Sequence, residues 1–248
     1  MIGHPLHVEC RRIRASAIAL ATGYLLNGLI FLLGVREWAD AILLISLTIS
    51  LILAFSEWRT APLLFLSGCL TGFFMELVGT RYGIPFGRYR YLSFERVSLW
   101  GVPIPIALAW GIYLYTAYLA SLPIVKRFRR VMFTSLLMVI LDTAVDPVMV
   151  ERGIWAWDSS GPWFGIPTLN FLGWFLTSAL AITIFELLSS SHPKGRSRLL
   201  YVPYLTSFFP IASISGPKSI LAVAISFSLA VILLVGMSKL TQRVLSRS

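Results

Sequence analysis

Residues 219–237 read SILAVAISFSLAVILLVGM, a stretch without a single charged side chain. About 20 apolar residues in a row are what a helix needs to cross the hydrocarbon core of a bilayer. Comparable runs lie upstream at 15–35, 41–56, 61 to about 78, 102 to about 125, 131 to about 150 and 169 to about 188. Residues 199–215 form a shorter run broken by Pro203 and Pro210. Across all 248 residues, 57% are hydrophobic and 13% charged, with a mean hydropathy of +0.79. That composition excludes a water-soluble enzyme, because one core could not hide so many uncharged runs. The expected fold is an all-α polytopic transmembrane helix bundle, a single integral membrane domain over 1–248. It has about eight spans, or seven if 199–215 does not cross.

Basic residues set the orientation. With eight spans and a cytoplasmic N-terminus, 14 of the 21 Lys and Arg residues fall on the inner side: Arg11, Arg12, Arg14, Arg59, Lys126, Arg127, Arg129, Arg130, Lys194, Arg196, Arg198, Lys239, Arg243 and Arg247. Seven spans would move the tail from Lys239 outside and weaken this bias, so both termini are expected in the cytoplasm of a cell-membrane protein. The net charge of +10 therefore serves an anionic lipid surface, and nucleic acid is not an expected partner. Cys10 and Cys69 show no metal or redox spacing, and His4, His7 and His192 lie outside the spans, so no metal site is expected. The first run is long enough to span and lacks a small-residue cleavage pattern, which argues against a removed signal.

Two connections differ from the rest. Residues 79–101 read GTRYGIPFGRYRYLSFERVSLWG and 151–168 read ERGIWAWDSSGPWFGIPT. Both are rich in Gly, Pro, Tyr and Trp, and both fall outside in the eight-span arrangement. They also align with one another. GVPIPIALAW from Gly101 matches GIPTLNFLGW from Gly165, and ELVGTRYGI from Glu76 matches DPVMVERGI from Asp146. The expectation is a parallel repeat of two helix-loop-helix units, about 61–125 and 131–190, with Glu76 and Asp146 pseudo-equivalent. An ordinary interfacial aromatic belt would account for part of the loop composition.

Acids in a membrane span cost about 2.5–3.5 kcal/mol each on insertion scales and persist mainly where they face a cavity or a partner. Asp142 and Asp146 are four apart and share a helix face. Two such acids cannot both ionise cheaply in a dry setting, so one is expected to keep its proton. A protonated carboxyl beside π faces can protonate an alkene and hold the resulting cation. Tyr82, Phe86, Tyr89, Tyr91, Trp100, Trp110, Trp155, Trp157, Trp163 and Trp174 supply such faces in or beside the loops. Glu186, near cytoplasmic Lys194, reads as interfacial.

The strings MELVGTRYGIPFGRYRY, GVPIPIALAWGIY, LDTAVDPVMVERGIWAW and GPWFGIPTLNFLGWFL resemble the carotenoid biosynthesis membrane proteins that include bacterioruberin-pathway and carotenoid 1,2-hydratases. The resemblance spans about residues 61–188. It implies a cofactor-independent hydro-lyase that adds water to the terminal double bond of an acyclic carotenoid end group. It places Glu76, Asp142, Asp146 and Asp158 as acids, with Arg81, Tyr82, Arg88, Tyr89, Trp155, Trp157 and Asn170 around the substrate, beside Trp110 and Trp174 from the aromatic set. Partners would be lipid, carotenoid, water and other enzymes of the same pathway. End-group cyclisation shares the protonation step. A transporter or channel would use an intramembrane acid pair as a proton relay, and Asp142-x-x-x-Asp146 faintly matches the aspartate-rich sites of prenyltransferases.

Overall fold

A computed structural model describes residues 11–35, 38–93, 97–125, 128–193 and 197–245. His4, His7 and Cys10, and the basic residues Lys126, Arg127, Lys194, Arg196 and Arg247 of the charge tally, lie outside the described residues. The helices are α1 (Arg11–Leu32), α2 (Ala39–Phe55), α3 (Ala61–Tyr82), α4 (Ile104–Ser121), α5 (Phe128–Glu151), α6 (Thr168–Leu188), α7 (Val202–Thr206), α8 (Phe208–Ile214) and α9 (Ser219–Leu245). Six of them, α1, α3, α4, α5, α6 and α9, are long and apolar enough to cross a membrane, and α2 is a shorter apolar helix. The proline-bearing run becomes a 3-10 turn, Arg198–Tyr201, followed directly by α7 and α8. Large side chains such as Ile52, Leu70, Leu180 and Ile232 are exposed around the bundle, as expected of a surface that faces acyl chains.

Contacts at the helix ends show how the chain turns back on itself. Glu57, just past α2, accepts from the backbone N–H groups of Arg12 and Ile13 at the start of α1. Thr60 bonds Ser189 and Ser191 beyond α6. At the opposite end, Glu151 accepts from the backbone of Lys218 and Ser219, and Arg152 donates to Ile214. The two aromatic connections lie at this second end, called below the loop end.

Small residues let α3 and α4 meet closely, as is usual between membrane helices. A Cβ on Gly68 would come within 2.9 Å of the Gly111 Cα, and one on Gly111 within 2.7 Å of the Phe65 carbonyl. Gly111→Ala is therefore expected to destabilise the bundle by about 1–3 kcal/mol through overpacking, which a thermal melt in detergent would register as a lower Tm.

The loops carry short strands that hydropathy does not reveal. Strand β1 (Tyr89–Tyr91) pairs antiparallel with β4 (Trp155–Trp157), Tyr89 opposite Trp157 and Tyr91 opposite Trp155. Strands β2 (Ser98–Leu99) and β3 (Val102–Pro103) form a hairpin through Trp100 and Gly101. Trp163 bridges Ile166 through Phe164 and Gly165 in the second loop. Both two-residue turns have positive φ at both central positions, 52° and 87° in the first and 49° and 88° in the second, the condition for a type I′ turn. Each then delivers a proline, Pro103 or Pro167, as the extended N-cap residue of α4 or α6. Gly83 and Gly153, at the ends of α3 and α5, also share positive φ, 74° and 66°, which suits a helix C-terminus.

Helix α5 contains Pro147 directly after Asp146. Proline lacks the N–H that would bond the carbonyl four residues back, leaving that of Thr143. The Trp163 indole N–H fills the place, 2.9 Å from the Thr143 oxygen. The second loop is thus pinned to the helix within the turn that carries the acid pair.

Candidate active site

Glu76 is 6% exposed and Asp146 2%, and both line one small cavity at the loop end. Its walls are Phe86, Tyr89, Tyr91, Ile106, Trp155, Trp157, Asn170 and Trp174. The cavity measures about 30 Å³, more than the roughly 10–15 Å³ that one ordered water molecule needs. Acid, donor and aromatic groups therefore converge on one small space.

Glu76 is held by three donors. The hydroxyl of Tyr89 and that of Tyr91, at 2.5 Å, both donate to its Oε2, and the Trp110 indole N–H donates to Oε1 at 2.9 Å. These hydrogen bonds offset part of the cost of burying a charge at this position. Burial first, and the Glu76 charge next, raise the titration of Tyr89 and Tyr91 well above the usual phenol range, so both stay protonated as donors. Trp110 is further fixed by stacking on Trp174, with ring centroids 4.1 Å apart, and by Gly72, where a Cβ would occupy the space of its indole.

Asp142 and Asp146 make the opposite arrangement. The Asn170 amide nitrogen donates to both, at 2.7 Å to Asp142 Oδ2 and 2.5 Å to Asp146 Oδ2. Sharing one amide nitrogen holds the two carboxyl groups close together, and two negative charges cannot both be carried cheaply in so buried a place. Asp146 lines the cavity, while Asp142, fully buried, sits behind it and keeps Oδ1 without a partner among the described residues.

The structure gathers Glu76, Tyr89, Trp110, Asp142, Asp146, Trp155, Trp157, Asn170 and Trp174 in or directly behind the cavity. Four other residues expected at the site, the acid Asp158 and the substrate-binding Arg81, Tyr82 and Arg88, lie elsewhere. Asp158 is on the surface, its side chain 56% exposed and 3.8 Å from the Arg90 guanidinium. Arg88 is exposed too. In an extended segment alternate side chains face opposite sides, so Asp158 points away from the side of Trp155 and Trp157, and Arg88 away from that of Tyr89. Arg81 and Tyr82 are exposed at the last turn of α3, five and six residues beyond Glu76 and so off its helical face. Tyr91, Phe86 and Ile106 complete the lining. Tyr91 was signalled by strand alternation, since in Tyr89-Arg90-Tyr91 the two rings share a face and Arg90 does not.

An exposed ion pair such as Arg90–Asp158 contributes roughly 0–1 kcal/mol. Asp158→Asn is accordingly expected to leave activity within about two-fold of wild type, measured as product formed in membranes. A loss comparable to that of a cavity acid would return Asp158 to the site.

The profile of the carotenoid biosynthesis protein family matches residues 22–237. The chain belongs to that family. Its relatives include the bisanhydrobacterioruberin hydratase of Haloarcula japonica, 27% identical over 134 residues, which cover 52% of this chain and 45% of that protein. The chain thus matches less than half the length of this curated relative. No solved structure matches the chain significantly. Family membership and the long apolar helices make this a membrane protein of carotenoid biosynthesis.

Proposed function

We propose that the protein is a carotenoid hydratase, adding water to the terminal carbon–carbon double bond of an acyclic carotenoid end group. The observation that carries this reading is the carboxyl pair Asp142–Asp146, clasped by Asn170 and facing Glu76 across a small, ring-lined cavity. The hydratase relative supports the same chemistry.

In the proposed reaction the Asp146 carboxyl O–H gives its proton to the less substituted alkene carbon. The π electrons form the new C–H bond, leaving a tertiary cation and an Asp146 carboxylate. The Glu76 carboxylate and the faces of Trp155, Trp157 and Trp174 stabilise that positive charge. Water in the cavity then forms the C–O bond and its surplus proton returns to Asp146, so the acid is restored and one H2O is gained. No electron donor or transferred group is needed. The aromatic walls shield the cation, and the three hydrogen bonds that Glu76 accepts give it the part of charge stabiliser, leaving proton donation to Asp146.

The test is expression in a bacterium that accumulates an acyclic carotenoid such as lycopene, followed by mass analysis of its pigments. Gain of one water per converted end is the expected result. Unchanged mass with altered retention would replace hydration by cyclisation, in which a second double bond captures the cation. Untouched pigment would remove both for that substrate.

A further inference from the structure

Four hydroxyl side chains on α5 and α6 have no evident use in the proposed reaction. Thr134, Ser135, Thr177 and Ser178 are all fully buried, and none has a hydrogen-bond partner among the described residues. Hydroxyls elsewhere in the bundle bond a carbonyl three or four residues back, as Ser67, Ser121, Thr143 and Ser226 do. An unsatisfied buried hydroxyl is costly, so four at one level call for a shared partner.

Helix geometry brings them together. Ser135 lies seven residues from Asp142, and Thr177 seven from Asn170, in both cases away from the loop end. Seven residues are two turns, about 10 Å along the axis on the same face. Asp142 and Asn170 are bonded to each other and the two helices run in opposite directions, so Ser135 and Thr177 meet at one depth below the acid pair, with Thr134 and Ser178 at the same depth about 100° round their helices. The Asp142 Oδ1, buried and unpartnered, lies at the upper end of this stripe. One further turn along α5, Arg130 donates to Tyr118, which donates to Glu186 at 2.7 Å. His192, 41% exposed, stands 3.5 Å from Glu186.

We propose that α5 and α6 enclose a file of bound water molecules that begins near Arg130 and Glu186, rests on Thr134, Ser135, Thr177 and Ser178, and ends on Asp142. Water meets the donor and acceptor needs of all five groups at once, which no rearrangement of the apolar neighbours does. The file supplies water and exchanges protons with the acid pair from the end of the bundle opposite the loops. That supply role rests on the hydration reading. The water site itself does not.

Met138 provides the probe. It is fully buried, and on α5 it lies between Ser135 and Asp142, three residues from one and four from the other. Brief radiolysis of the purified protein in 18O water generates hydroxyl radicals at bound waters, and a nearby thioether becomes a labelled sulfoxide. Met138 is expected to be oxidised faster than lipid-facing Met132, although Met132 is 39% exposed. An unlabelled Met138 in the wild-type protein would overturn the proposal, whether or not the protein hydrates carotenoids. In Thr134→Val/Ser135→Ala, with Thr177→Val/Ser178→Ala as a second variant should the first fail to accumulate, Met138 labelling should fall about ten-fold. Hydration should slow in parallel with KM unchanged. Unaltered hydration alongside lost labelling would remove the supply role.

Discussion

Asp146→Asn is expected to abolish hydrated product while leaving the protein folded in the membrane. The substitution keeps shape and hydrogen-bonding capacity beside Asn170 but removes the cavity-lining carboxyl assigned as the proton donor. General acid catalysis contributes about 100- to 10,000-fold, so the loss should fall in that range and appear in kcat. Asp142→Asn should cost less, because Asp142 does not line the cavity. Near-wild-type turnover of Asp146→Asn in membranes holding normal amounts of protein would take the proton-donor role from this residue.

Glu76→Gln carries the second large effect, for a different reason. The carboxylate is surrounded by three donors, and an amide placed there turns an N–H toward at least one of them. It also removes the negative charge that faces the developing cation. Loss of one preorganised electrostatic group typically costs about 100- to 1,000-fold in kcat. The readout is the rate of product formation together with binding of unreacted carotenoid, which should change little, since the charge acts on the cation and not on the neutral polyene. Equal losses in binding and rate would make Glu76 a structural anchor for Tyr89, Tyr91 and Trp110 instead of a stabiliser of charge.

Much of the helix layout is legible in hydropathy alone. The run at 131–150 becomes α5 (Phe128–Glu151) and that at 169–188 becomes α6 (Thr168–Leu188), because a charge-free stretch has no other stable form in lipid. The acid pair is legible for the same reason, since a spacing of four on a helix leaves no choice of face. The loops were harder to read. The resemblance sets Arg81, Tyr82, Arg88 and Asp158 at the site, whereas the fold sorts them by parity and helical phase. Once residues 89–91 and 155–157 are recognised as paired strands, alternation places Tyr91 inside and Asp158 outside. That pairing joins segments far apart in sequence, and single-segment periodicity cannot register it. The role of Asn170 was hidden likewise, because an amide gains its meaning from the two carboxyl groups another helix brings to it.

The cramped volume behind the β1–β4 ladder has a consequence for selectivity. In the proposed reaction, a polyene many times longer than this chamber would leave most of its length among the acyl chains and offer only its tip. Such a catalyst gauges the branching of the last few carbons and stays indifferent to the remainder of the pigment. Molecules differing in overall size but sharing a terminus would be processed alike, and a symmetric one would be treated in two independent visits.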